Sequence, residues 1–325
     1  MATLLAGAPL ISLTGCGWST RYSREVTDDW LNVLDALDPG LEPGSVPAAL
    51  TARLRDALEQ IRIVPRMFAD VAHIDPTTVL FGRTLQSPIL AGRHAAYDDS
   101  SRQLEVLLGA HAASTIAIVS DAMSVPPAHA QSVKEAAPWM VCSSATSTET
   151  SLARAGVLGA GAIVVSLDTP WTQSALTNLC VASALPVVAS GVVDAMHAQR
   201  VMDAGVRGII VAAALPVAPI LRLREIVTAV SPGTPVMIAN EFTRGTDILK
   251  ALALGASAVL VDLPISWGLA SADIVGVARV LELLDLELAH AMTMAKGGKY
   301  RFVVAEPGAH ASQVKHSRYD RRRTT

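Results

Sequence analysis

Charge is scarce in this 325-residue chain: Asp, Glu, Lys and Arg make up only 17% of it. With 51% hydrophobic residues alongside, that balance excludes a disordered polymer and implies a large buried core with short solvated edges. Cysteine is equally sparse. Cys16, Cys142 and Cys180 are scattered and odd in number, which excludes a disulfide framework and any zinc-ligand spacing and fits a reducing compartment. A formal net charge of −3 leaves no basic surplus for nucleic acid over the whole chain. The exception is the tail from Lys315 to Arg323, read as a flexible solubilising end. No apolar run reaches the roughly 18–20 residues needed to cross a bilayer. The apolar opening that ends at Cys16 lacks the Lys or Arg with which an export signal begins. The expectation is a cytoplasmic protein with no membrane or nucleic-acid partner.

What the chain does have is internal periodicity. A proline-led series starts at Pro88, Pro138, Pro186 and Pro235, at spacings of 50, 48 and 49 residues. A glycine-led series starts at Gly159, Gly205 and Gly255, with a looser member at Ala113. Each start opens a short continuous apolar run, the pattern of a strand buried on both faces. Helix-length stretches such as Thr148 to Leu158, Asp194 to Asp203 and Thr246 to Leu254 lie between them. Glycine after such a helix supplies a left-handed cap, and proline at a strand start has no ladder bond to lose. Eight strands alternating with helices predict a (β/α)8 TIM barrel, with an open doubly wound sheet as the rival. Residues 1–84 are expected to form an N-terminal extension and lead-in, with a helix from Val46 to Ile61. Residues 85–296 form the barrel and its long terminal helix, Ala272 to Met294, and residues 297–325 the basic tail.

Functional residues of such barrels lie at the C-terminal ends of the strands. The repeat alignment delivers Arg93 and His94, then Ser120 and Asp121, Cys142 and Ser143, Asp168 and Thr169, Ser190, Ala212 to Ala214, Asn240 and Glu241, and Asp262. His94, Asp121, Asp168, Glu241 and Asp262 are therefore the candidates for general acid/base work or a divalent cation, although no local ligand spacing supports a metal. Cys142 has no histidine close in sequence and reads as a buried, inert thiol. Trp139, Trp171 and Trp267 are expected to pack under loops near strand ends.

Several stretches resemble a known family. They are Ile61-Arg-Ile-Val-Pro-Arg-Met-Phe-Ala-Asp-Val, Thr84-Leu-Gln-Ser-Pro-Ile-Leu-Ala, Asp168-Thr-Pro, and the run from Arg244-Gly-Thr-Asp to Ser257-Ala-Val-Leu. Pro264-Ile-Ser-Trp-Gly-Leu-Ala and Gly276-Val-Ala-Arg-Val-Leu-Glu-Leu-Leu complete them. Together they are similar to the FMN-dependent α-hydroxy acid oxidases and dehydrogenases, which include lactate and glycolate oxidases. The resemblance implies a barrel that binds FMN and assembles through its helices, as a homo-oligomer or with another enzyme. It makes Ser120, Thr169 and Arg244 surviving cofactor-site positions.

The family's working positions differ here. Its sixth strand ends in Ser-Asn-His-Gly-Gly, whose histidine takes the substrate's proton; this chain reads Ala212-Ala213-Ala214-Leu215-Pro216, and alanine accepts no proton. The lysine after strand five aligns with Ser190, and the Gln and Tyr after strand three align with Val141 and Ser143. Where the family's glycines and arginine meet the phosphate, this chain has Ala239-Asn240-Glu241 and Asp262-Leu263. A carboxylate about 4 Å from a phosphate costs on the order of 4 kcal/mol at an effective dielectric near 20. On this reading Glu241 and Asp262 disfavour FMN, no cofactor is predicted, and the chain is expected to be a non-catalytic partner or scaffold. The alternatives are a repurposed non-flavin enzyme working through the acidic mouth, and a residual FMN-dependent oxidoreductase.

Overall fold

The computed structural model describes residues 48–63, 75–93, 99–144, 146–212, 218–239, 242–295, 301–304 and 316–318. Helix α1 (Ala48–Glu59) leads into strand β1 (Ile61–Arg62), and a hairpin of β2 (Thr78–Leu80) and β3 (Arg83–Leu85) precedes the barrel. The barrel strands are β4 (Ile89–Ala91), β5 (Ile118–Ser120), β6 (Trp139–Cys142), β7 (Ala162–Ser166), β8 (Val187–Val192), β9 (Gly208–Val211), β10 (Val236–Ala239) and β11 (Ala258–Val261). All are parallel, and from β5 to β11 each pairs with the next in the chain. β11 returns to β4, and the circle closes where Ala91 bridges Ala117 and its N–H donates to the Ile116 carbonyl at 2.9 Å. This is the expected (β/α)8 barrel, with every strand where the repeats placed it.

The intervening helices are α2 (Ser100–Ala112), α3 (Ala130–Ala136), α4 (Thr148–Leu158), α5 (Gln173–Ala182), α6 (Ala195–Asp203), α7 (Pro219–Ala229), α8 (Gly245–Ala253) and α9 (Leu263–Met294). Their starts are written in the sequence. Asp99, Ser147, Thr172 and Asp194 each accept a backbone N–H from the first turn of the helix that follows. Gly159 ends α4 with φ +63°, the left-handed cap its position predicted.

Alternation along the strands builds two layers. Outward residues such as Met140, Cys142, Ile163, Val165, Ile209, Val211, Val259 and Val261 join the helices in the main core. Inward residues Leu90, Ile118, Trp139, Ala162, Val164, Val188, Ile210, Met237, Ala258 and Leu260 fill the barrel, which the hairpin plugs from below with Leu80, Phe81 and Leu85. Trp139 thus lies inside the barrel, its ring 5.6 Å from that of Phe81, and not under a loop at the mouth.

Helix α9 breaks at Ala272 and Asp273, so a short helix precedes the long terminal one. The two halves touch through glycines: a Cβ on Gly276 would lie 1.9 Å from the Gly268 carbonyl oxygen. Residues Arg301–Val304 (β12) and His316–Arg318 (β13) form a three-stranded antiparallel sheet with β1. Among the described residues no helix is long and apolar enough to cross a membrane.

Candidate functional site

The strand alternation fixes what the mouth presents. Counting by twos from the inward core residues, the C-terminal ends deliver Gly92, Ser120, Val141, Ser166, Ser190, Ala212, Ala239 and Asp262 to the interior. Only Val141 and Asp262 among these are larger than serine, so the floor of the mouth is small and partly polar. Cys142 is excluded by the same parity. It is fully buried in the outer layer, and burial, reinforced by the charge of Asp121, pushes its thiol up to about 12. An inert thiol is what results.

Asp168 lies in the turn after β7, with its side chain exposed to solvent. Its Oδ2 accepts the Ser166 hydroxyl at 2.9 Å. The turn is held by the Ser166 carbonyl, which accepts both the Thr169 hydroxyl and the Trp171 indole N–H at 3.1 Å. β8 carries a bulge at Ser190 to Val192, where Gly191 adopts φ +98°, a conformation that favours glycine. A Cβ there would lie 3.7 Å from Asp168 Oδ1, so glycine leaves that oxygen uncovered.

Asp121 is anchored differently. Its carbonyl accepts Arg154 Nε at 2.7 Å, and Arg154 also reaches the Met123 carbonyl. Its carboxylate meets the Thr146 hydroxyl at 3.4 Å and Ser120 Oγ at 3.5 Å. The Ser120 N–H donates to the buried Gln103 amide oxygen at 2.7 Å. Asp262 caps the short helix that opens α9: its Oδ1 accepts the Leu263 N–H at 2.7 Å. That helix start, beside the ends of strands seven and eight, is where (β/α)8 enzymes often bind phosphate.

Arg244, one of the surviving cofactor positions, turns toward α9. Its Nε donates to Glu287 Oε1 at 2.7 Å, while Glu287 Oε2 caps the Gly245 N–H at 2.8 Å. Gly245 permits the contact, since a Cβ there would lie 2.3 Å from the Leu288 nitrogen. Sequence reasoning missed this clamp because its halves lie 43 residues apart. His94, Asn240, Glu241, Ala213 and Ala214 lie outside the described residues. Among those described, no three His, Cys, Asp or Glu side chains are grouped to hold a metal ion.

Comparison with known proteins gives the mouth its context. The profile of the FMN-dependent dehydrogenases matches residues 42–179 and 171–298. The peroxisomal (S)-2-hydroxy-acid oxidase GLO4 of Oryza sativa subsp. japonica is 28% identical, over 73% of this chain and 81% of its own length. The 4-hydroxymandelate oxidase of Amycolatopsis orientalis is 29% identical, over 78% of this chain and 88% of its own. A crystal structure of mandelate oxidase with (S)-2-phenylpropionate superimposes with a TM-score of 0.71 at 30% identity, covering 83% of this chain and 93% of the other.

These matches overturn the expectation of a non-catalytic scaffold that has lost oxidation and FMN, and with it the repurposed non-flavin enzyme. The relatives and structural neighbours are oxidases, matched over most of their length. The electrostatic argument behind that expectation placed Asp262 as a bare charge against the phosphate. Its carboxylate instead accepts an N–H of its own helix, whose positive end offsets part of the charge, so the cost at that position is smaller than the bare-pair figure.

Proposed function

This chain belongs to the FMN-dependent dehydrogenase family, and from that premise we propose that it is a flavin-dependent oxidoreductase acting on 2-hydroxy acids. The observation that carries the reading is the match of the family profile to both halves of the barrel, whose mouth opens onto the small, partly polar floor described above.

The described residues fit a flat ring system. Gly92, Ser120, Ser190, Ala212 and Ala239 leave room above the barrel core, and Ser120 and Ser190 bring hydroxyls to its edge. Gly92 is needed at the rim, because a Cβ would lie 3.2 Å from the Val261 carbonyl oxygen and 3.6 Å from Asp262 Cβ. At the phosphate end the fit differs from a bare-backbone cradle: the Asp262 carboxylate holds the first N–H of α9, and a phosphate seated there displaces it or binds beside it.

When bound, the flavin accepts the hydrogen and electron pair that leave the substrate carbon. The chain's part is to orient the acid against that ring, shield the site from water, and take up the hydroxyl proton.

The test is direct. Purified protein titrated with FMN, then mixed anaerobically with glycolate, lactate or mandelate, should show flavin absorbance that bleaches with at least one acid and returns in air. Failure to bind FMN, or a bound flavin that none of these acids bleaches, overturns the proposal.

A further inference from the structure

Oxidation of a hydroxyl to a carbonyl removes a hydride from carbon and a proton from oxygen, so a base must face the hydroxyl. The position that carries the family's base histidine is Ala214 here, and a methyl group cannot serve. We propose that Asp168 is the base, taking the hydroxyl proton on Oδ1; the assignment rests on the 2-hydroxy acid reading above.

The geometry separates Asp168 from the other described acids of the mouth. Asp262 is committed to the Leu263 N–H at the start of its helix. The Asp121 carboxylate meets Thr146 and Ser120, and its backbone is tied to Arg154. Asp168 instead divides its two oxygens. Oδ2 is oriented by the Ser166 hydroxyl at 2.9 Å, and Oδ1 faces Gly191, where the missing side chain leaves an approach. A base in reach of a bound substrate needs one oxygen fixed and the other open.

The turn is rigid for the same purpose. Ser166 pairs in register with Ser190, the Leu167 N–H donates to the Ser190 carbonyl at 2.8 Å, and the Ser166 carbonyl holds both Thr169 and Trp171. Ser166 is therefore a positioning residue: its hydroxyl aims the carboxylate and its carbonyl gathers the turn. Solvent exposure of Asp168 supplies the exit for the proton after each turnover.

The O–H bond of the 2-hydroxy acid breaks and its proton goes to Asp168 Oδ1. The Cα–H hydrogen leaves with its electron pair to the bound flavin as oxidant, and the carbon–oxygen double bond forms. The acid is oxidised by two electrons and the flavin reduced by two. The carboxyl then returns its proton to water.

FMN-loaded wild type, Asp168→Asn, Asp168→Glu and Ser166→Ala are mixed anaerobically with the acid that the wild type oxidises, and flavin bleaching is followed. Asp168→Asn should slow bleaching at least about a hundredfold, the scale of a lost general base. Asp168→Glu should recover part of the rate, and Ser166→Ala should lose about tenfold. In parallel, 2-hydroxy-2-methylpropanoate, which lacks the transferable hydrogen, reports binding through the flavin spectrum. Asp168→Asn should bind it as tightly as the wild type or tighter, because one negative charge near the anion is gone. Asp168→Asn that bleaches within threefold of the wild type overturns the assignment while leaving the oxidase reading intact. So does parallel loss of rate, analogue binding and melting temperature. Wild type that no acid reduces overturns both.

Discussion

Replacing Asp285 by Asn tests how the terminal helix meets the first barrel strand. Asp285 sits on α9 against Ser87, the buried residue just before β4. Ser87 Oγ accepts the Ile89 N–H at 3.2 Å and has its own hydrogen to give the carboxylate. The other carboxylate oxygen, Oδ1, is sealed from water without a hydrogen-bond partner. Burial therefore pushes this carboxyl up to about 6 from an ordinary 3.8; the Ser87 bond pulls it down, and Glu282 adds repulsion. The difference is worth about 3 kcal/mol in favour of the neutral form.

The sign follows from proton binding. Between roughly pH 4 and 6 the folded chain holds a proton that the unfolded chain releases, so this residue's contribution to stability falls as pH rises through that window. Asparagine keeps the shape and the Ser87 contact without the charge. Asp285→Asn should therefore match the wild type below about pH 4 and exceed it by about 2–3 kcal/mol above pH 7. Urea unfolding at a series of pH values, read as the change in midpoint at constant slope, measures this. A stability difference independent of pH would refute the reasoning, as would a variant less stable than wild type at pH 8.

Three further outcomes follow from the same structure. Gly276→Ala should cost 3 kcal/mol or about that, because its Cβ meets the Gly268 carbonyl oxygen at 1.9 Å, whereas Gly156→Ala, with nothing within 4 Å on the exposed face of α4, should stabilise by about 0.5–1 kcal/mol in denaturant unfolding. Glu287→Ala should lose about 2–4 kcal/mol, since it strips Arg244 of its partner and Gly245 of its cap; Glu287→Gln, which can still accept the Gly245 N–H, should lose about half as much by the same assay. Asp262→Asn keeps a capping oxygen at α9 but removes the charge, so it should tighten FMN by tenfold or roughly that while leaving riboflavin, which has no phosphate, unchanged in a fluorescence titration.

The barrel was legible because each strand is buried on both faces and so reads as an unbroken apolar run, while proline and glycine mark the junctions. The same parity that builds the core names the residues at the mouth, which is why Ser120, Ser190 and Asp262 were found from spacing alone. Side-chain commitments were less legible. Nothing local announces that Arg244 turns to Glu287, or that α9 breaks at Ala272 and Asp273 with Gly268 against Gly276. The one available signal for the break was the pair of glycines eight residues apart inside an otherwise helical stretch. Trp139 packs inside the barrel and not under a loop because it opens its strand on the inward parity.

The functional expectation failed through a physical shortcut. It treated each departure from the family pattern as a subtraction: a histidine gone, a glycine filled, an acid set against an anion. Electrostatics depends on what a carboxylate touches, not on its identity at an aligned position. Asp262 touches the first N–H of its own helix, and Arg244, which the alignment kept for the cofactor, is held by Glu287. The altered mouth is therefore not the family's mouth with parts missing. Its described charges are distributed into local pairs and caps, with Asp168 the acid whose open oxygen faces a glycine bulge. A site arranged this way can keep hydroxy-acid oxidation only by moving the proton through a different side chain, which makes the Asp168→Asn rate the measurement on which the chemistry turns.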